Sequence, residues 1–344
     1  MRRIYISDKI RDIAERYTTS IFADRNKNFD QPIARLGRLC FFLRFKQYDS
    51  KFSDYVDELR FHYKQILKLE PDDFDVFHQK YFNKVSENEM STQIEVEDNE
   101  ADKTYKLPLG KHAFNDLVIW AMRYDDLREK EIIPYLMELH INTCVYCNSQ
   151  YTIAIDEVTD NDDNVTKKKV ALYQLDHYWA KSQYPFLCTT FYNLLPSCAN
   201  CNLHKGNKKG YFSLYTRSED EKEVNPMWFE VHPKEVIDGT YGYNADNISI
   251  KLCSDKKTLL EKHQEYFMVN DVYKYHRREA EEAIVKMQFY DTFYRKQLQK
   301  SLSKLFPEGV ESPERFFWGH EMEEEKVFER PLNKLIQDVV KFVK

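Results

Sequence analysis

Four of the seven cysteines fall into two Cys-x-x-Cys pairs, Cys144–Cys147 and Cys198–Cys201, with 50 residues between them. Each pair bends the chain so that two thiolates converge, and two such knuckles supply the four ligands of a closed, structural Zn²⁺ site. Cys40, Cys188 and Cys253 lie in apolar or loop surroundings and read as packing residues. A second polar group is interleaved with the knuckles: Asp176-His177, then Asn193 sixteen residues on, then Asn202 nine further. Hydrolysing a phosphodiester needs a base for water and a cation against the charge that builds on the phosphate. Asp176 offers a hard anionic oxygen suited to Mg²⁺ or Mn²⁺, and the Asn202 amide carbonyl offers a second. His177 can take a proton from water near neutral pH, and Asn193 is placed to accept a hydrogen bond from the imidazole and fix its tautomer. Each residue also has a plainer reading: a surface Asp-His pair, a turn cap at Asn193, a helix N-cap at Asn202.

The surroundings suit a polyanion. From His177 to Arg217 there are five basic residues, Lys181, Lys205, Lys208, Lys209 and Arg217, and no Asp or Glu. Such a stretch reads as a track for backbone phosphates, which carries no sequence specificity by itself. Tyr178, Trp179, Tyr184 and Phe186 lie among them, either to stack on bases or to form the core of a small domain. The rest of the chain is acidic enough to give a net charge of −6, so tight binding of nucleic acid calls for a protein partner.

The elements that position these residues follow from patterning. Residues 1 to about 85 are expected to be helical, with apolar spacing in Ile33–Phe45 and Phe52–Leu69 and a new element after Pro71. Ser86–Lys103, polar and acidic, reads as a linker. A second helical block precedes Cys144, with Pro134 near a helix start or marking a kink. Tyr151–Val158 and Lys169–Tyr178 read as two strands joined by a hairpin loop, followed by a loop, an apolar turn and a helix ending near Gly206. Phe229–Leu252 reads as a small β element with its turn at 239–244, and residues 258–305 as a long amphipathic helical stretch. The expected class is α+β, divided into a helical region 1–110, a central unit 111–215, and a region 216–344.

Composition narrows the function. With 42% apolar and 15% aromatic residues there is ample core material, and eight glycines argue against glycine-rich phosphate loops. No G-x-x-x-x-G-K-[ST] is present, so no ATPase is encoded here. The N-terminus lacks an apolar signal region and no apolar run is long enough to span a bilayer, which leads to the expectation of a cytoplasmic protein without a membrane partner.

The segments CVYC (Cys144–Cys147), LDHYWAK (Leu175–Lys181), NLLP (Asn193–Pro196) and CANCNLHKG (Cys198–Gly206) resemble an HNH endonuclease of the ββα-metal, or His-Me finger, kind. The resemblance implies a zinc-stapled ββα core flanked by helical regions. It implies His177 as general base, Asn193 as its orienting residue, and Asp176 with Asn202 as ligands of the catalytic Mg²⁺ or Mn²⁺. Asn at the third position resembles the HNN variant, with His204 as the alternative ligand, and Lys205 matches a lysine expected near phosphate. DHYWAKSQYP, NLLPSCANCNLHKGN and Asn225-Pro226 are further similar to the HNH subunit of Septu-type anti-phage defence systems. That likeness implies an antiviral nuclease acting on DNA, or on RNA, with an ABC-type ATPase as partner. The alternative is a zinc-stabilised module that binds nucleic acid or protein without catalysis.

Overall fold

The N-terminal helices form where apolar residues recur every three or four positions and a cap is available. Helix α1 (Asp8–Phe22) starts at Ser7, whose hydroxyl accepts from the Ile10 amide, and buries Ile10, Ile13, Ala14, Tyr17 and Ile21. Helix α2 (Pro32–Phe45) opens on a proline, and α3 (Ser50–Leu67) is capped by the Asp49 carboxylate. After Pro71 the chain enters a 3₁₀ turn and the short helix α4 (Phe74–Phe77). The computed structural model describes every residue except 24–28, 162–163, 233–244, 290–291, 306–312 and 343–344, so the turn expected at 239–244 lies outside the described residues.

Ser86–Lys103 is not a linker throughout. Strand β2 (Gln93–Val96) pairs antiparallel with β3 (Gly110–Ala113) and turns Ile94 and Val96 into the core. The alternation in QIEV is a period-2 signal that its acidic neighbours obscured. Helix α5 (Phe114–Ala121) and helix α6 (Ile133–Glu138) follow, with Pro134 in the first turn of α6 as expected.

The central strands pair differently from the sequence expectation. Strand β4 (Ala154–Asn161) pairs with β5 (Asn164–Ala171), and the Leu172 amide closes that hairpin onto the Ile153 carbonyl at 2.8 Å. The chain then starts a separate strand, β6 (Gln174–His177), whose partner is β7 (Leu194–Ser197). The register sets Asp176 opposite Leu195 and His177 opposite Leu194. Every residue of β7 is buried, so the stretch expected as an apolar turn is a strand enclosed on both faces. Helix α7 (Ala199–Lys205) follows and stops at Gly206, whose φ of +56° a side chain would resist.

Among the described residues every sheet is two-stranded. Besides those above, β1 (Ile4–Tyr5) pairs parallel with β8 (Tyr215–Thr216), and β9 (Trp228–Val231) with β10 (Ile250–Cys253). Helices α8 (Lys257–Phe267), α9 (Arg277–Phe289), α10 (Thr292–Leu305) and α11 (Asn333–Phe342) follow, with shorter helical turns at Val269–Tyr273 and Pro313–Trp318, so the expected long helical stretch is broken, first at Met268 with its φ of +47°. One hydrophobic core runs from Met1 to Val340 through all three expected regions. Among the described residues no helix is long and apolar enough to cross a membrane.

Gly210 marks where the chain after α7 meets the loop after β6. Its amide donates to the Tyr178 carbonyl at 2.7 Å, and an added Cβ would lie 2.6 Å from the Tyr178 ring and 2.8 Å from its carbonyl oxygen. Gly210→Ala is therefore expected to destabilise the protein by about 1–3 kcal/mol, read as a lower midpoint in urea denaturation. An unchanged midpoint would show that this approach is not constrained.

Candidate metal centre and polar site

The turn Cys144–Cys147 and the start of α7 bring four sulfurs to one point. The Sγ atoms of Cys144, Cys147, Cys198 and Cys201 all lie within 4.8 Å of one another. Tetrahedral Zn–S bonds of about 2.3 Å require sulfurs about 3.8 Å apart, so the quartet has the donor set and the spacing to bind a metal such as zinc. Among the described residues no other group of three or more His, Cys, Asp or Glu side chains is so placed. Cys40 and Cys188 are buried and Cys253 is half-buried, all apart from this cluster.

The quartet flanks Asp176. Tyr146, inside the first knuckle, donates its hydroxyl to Asp176 Oδ2 at 2.5 Å. Lys205, at the end of α7, donates to Asp176 Oδ1 at 3.1 Å and to the His177 carbonyl at 2.6 Å. Burial pushes the Asp176 carboxyl up, and the Lys205 ammonium and Tyr146 hydroxyl oppose that shift. Lys205 is 1% exposed. It is thus not on a surface phosphate track as expected, because its charge is spent on a buried carboxylate. Tyr146 is fixed in turn: its ring stacks on Phe267 of α8 with centroids 4.1 Å apart, and its carbonyl accepts from His263 Nε2 at 2.8 Å.

His177 is held by a different partner from the one expected. Its Nε2 lies 3.0 Å from the Cys188 carbonyl. A carbonyl only accepts, so Nε2 carries the proton and Nδ1 keeps a lone pair. Nδ1 has no hydrogen bond among the described residues, yet it is not one of the fully enclosed unpartnered nitrogens, whereas His263 Nδ1 is. Burial, with the Lys181 charge adding to it, pushes the His177 pKa down to about 3, so the ring is neutral at physiological pH. Asn193 does not touch the imidazole. Its Oδ1 accepts from the Trp179 amide at 2.7 Å, and its Nδ2 donates to the carbonyls of Trp179 and Leu187 at 3.1 and 3.0 Å. It clamps both ends of the loop between β6 and β7, and so places the Cys188 carbonyl. The N-terminal helices grip the same loop: Tyr17 donates to the Thr189 carbonyl at 2.7 Å, and the Tyr55 hydroxyl accepts from the Phe186 amide at 3.3 Å.

Asn202 is half-buried on α7, and its side chain has no hydrogen bond among the described residues. It precedes Lys205 by three positions, which puts both on the helix face that meets β6. His204 is exposed, on the other side of the helix.

The remaining basic residues are each engaged. Lys181 lies 4.1 Å from the Tyr124 ring centroid, and that ring is 5.0 Å from His177. Lys208 sits over Tyr266 at 4.6 Å and near Glu265 at 3.9 Å. Lys209 sits over Trp179 at 3.4 Å and bonds Asp75 at 3.4 Å. Arg217 is paired with Glu70 and Asp73. Trp179, Tyr184 and Phe186 are buried and Tyr178 half-buried, so at least the first three serve the core and not a stacking platform.

No family model, curated protein or solved structure matches the chain. Two groups at the site carry no mark in the sequence pattern. Tyr146 is one of two spacer residues in a Cys-x-x-Cys, and an aromatic there signals a role only in hindsight of its bond to Asp176. The Cys188 carbonyl is main chain, which residue types never advertise. Tyr146→Phe keeps the ring on Phe267 and removes one hydrogen bond to a carboxylate. It is expected to lower stability by about 1.5–3 kcal/mol with metal content unchanged, measured by urea denaturation and elemental analysis. Full stability in this variant would mean that the knuckle does not hold Asp176.

Proposed function

We propose that the chain is a metal-dependent endonuclease of the HNH kind that hydrolyses phosphodiester bonds of nucleic acid, DNA in preference to RNA. The observation that carries this reading is the fixed tautomer of His177: Nε2–H is bound to the Cys188 carbonyl, and Nδ1 is left with a free lone pair on the residue that follows the clamped Asp176. Nδ1 takes the proton from a water molecule, which attacks phosphorus. The bond to the 3′ oxygen breaks, that oxygen takes a proton from solvent, and a 3′-hydroxyl and a 5′-phosphate remain.

Asp176 and Asn202 are the residues that would hold a divalent Mg²⁺ or Mn²⁺. A carboxylate has about four lone-pair sites; Tyr146 and Lys205 take one each, and the Asn202 amide is free. The ion would supply positive charge against the phosphate and the leaving oxygen. The Lys205 charge favours the ionised form of Asp176 against its burial, and Asn193 keeps the β6–β7 loop, and with it His177, in position. A metal such as zinc on the cysteine quartet would be structural and take no part in the chemistry.

The wider reading rests on the sequence resemblance. In it, the chain is the effector nuclease of a prokaryotic anti-phage system and works with an ABC-type ATPase. Exposed Phe41, Phe45 and Phe61 on α2 and α3 give a protein partner an apolar face to meet.

The test is cleavage of plasmid, single-stranded DNA and total RNA with Mg²⁺ or Mn²⁺ by wild type and His177→Ala, with zinc content and melting temperature measured on both. Loss of the general base is expected to slow cleavage by about 10²–10⁴-fold while zinc content stays the same. Equal cleavage by the two proteins, or none by wild type with any substrate and metal, would contradict the reading.

A further inference from the structure

The basic residues downstream of His177 are met by an acidic run from the N-terminal region, Glu70-Pro71-Asp72-Asp73-Phe74-Asp75. Phe74 anchors it: the ring is fully buried and packs against Trp179 and Tyr178, at centroid distances of 5.7 and 6.4 Å. Around that anchor the carboxylates face the cations. The Arg217 guanidinium takes Asp73 in a two-pronged contact, Nη1 to Oδ1 at 3.2 Å and Nη2 to Oδ2, while its Nε donates to Glu70 and lies 3.9 Å from Asp72. Asp75 takes Lys209 at 3.4 Å. Lys209 in turn lies over the Trp179 ring, and Gly210 is bonded to the Tyr178 carbonyl, so this face adjoins the strand end that carries His177.

A fork of two parallel N–H donors on two oxygens is the geometry in which arginine takes a phosphate. We propose that Lys209 and Arg217 form a docking surface for the phosphate backbone of a nucleic acid, and that the chain's own acidic run occupies it as an internal phosphate mimic. The proposal rests on the nuclease reading for its purpose but not for its test. The side chains in the contact are open to solvent, Arg217 41% and Asp73 46% exposed, Lys209 40% and Asp75 76%. Ion pairs this exposed are weak and screened by salt, so phosphates compete for the cations by side-chain exchange alone. Phe74 and its backbone stay in place. Glu70, which is also bound by Arg11 at 3.1 Å, remains a fixed support of Arg217.

The experiment is fluorescence anisotropy with labelled single- and double-stranded DNA oligonucleotides in EDTA, so that binding is read without cleavage. Asp73→Asn/Asp75→Asn is compared with wild type and with a charge-matched control, Asp12→Asn/Glu15→Gln, on the exposed face of α1. The expected result is about tenfold tighter binding by the first variant than by the control, equivalent to about 1.4 kcal/mol, and return to the wild-type level when Arg217→Ala is added. Equal binding by variant and control, no binding by the variant, or tighter binding that survives Arg217→Ala would each overturn the proposal. Failure of the nuclease reading shows separately, as absence of His177-dependent cleavage, and tighter binding by the variant would stand without it.

Discussion

The convergence of four cysteine sulfurs is the constraint on which the rest of the site depends. It brings together the turn at 144–147 and the first turn of α7, two segments far apart in sequence that are also linked where the Val145 amide donates to the Pro196 carbonyl just before α7 at 3.3 Å. Each of the joined segments then reaches Asp176, Tyr146 from the knuckle and Lys205 from the helix. A buried carboxylate with one partner removed costs several kcal/mol. Holding both partners in place by the cysteine cluster keeps that carboxylate oriented and opposes the upward push that burial gives it.

The second polar residue is set from the opposite side. His177 ends β6 and is governed by the loop that leads to β7, whose Cys188 carbonyl fixes the ring's proton on Nε2. That loop is closed by Asn193 and gripped by Tyr17 and Tyr55 from α1 and α3. The helical N-terminal region is thus part of the site's scaffold, which fits the single core that runs the length of the chain. Its acidic run at 70–75 also meets the surface next to the site, so one region both shapes the polar centre and covers the cations beside it.

Much of this was legible in the residues. The spacing of the cysteines announced the cluster, because two thiols three apart can converge only in a tight turn. Apolar spacing marks α2 and α3, and the stretch Phe229–Leu252, read as a small β element, contains the pair β9 and β10. What could not be read was set by partners distant in sequence. The strand partner of Asp176 and His177 is Leu194–Ser197, which contains a proline and is too short for an alternating signal. Asn193 was assigned to the imidazole because its residue type allows that bond, yet two main-chain carbonyls and an amide claimed it. Lys209 and Arg217 look like a free track in the sequence because the acids that neutralise them lie more than a hundred residues earlier. Local composition reports charge; only the fold reports which charges meet.

The claim on which the account turns is that the cysteine quartet holds a metal and thereby fixes Asp176. X-ray absorption at the zinc edge on the purified full chain tests it most directly. The account calls for one zinc per chain with four sulfur neighbours at about 2.3 Å. A first shell containing nitrogen or oxygen, or a folded protein without metal, would contradict it.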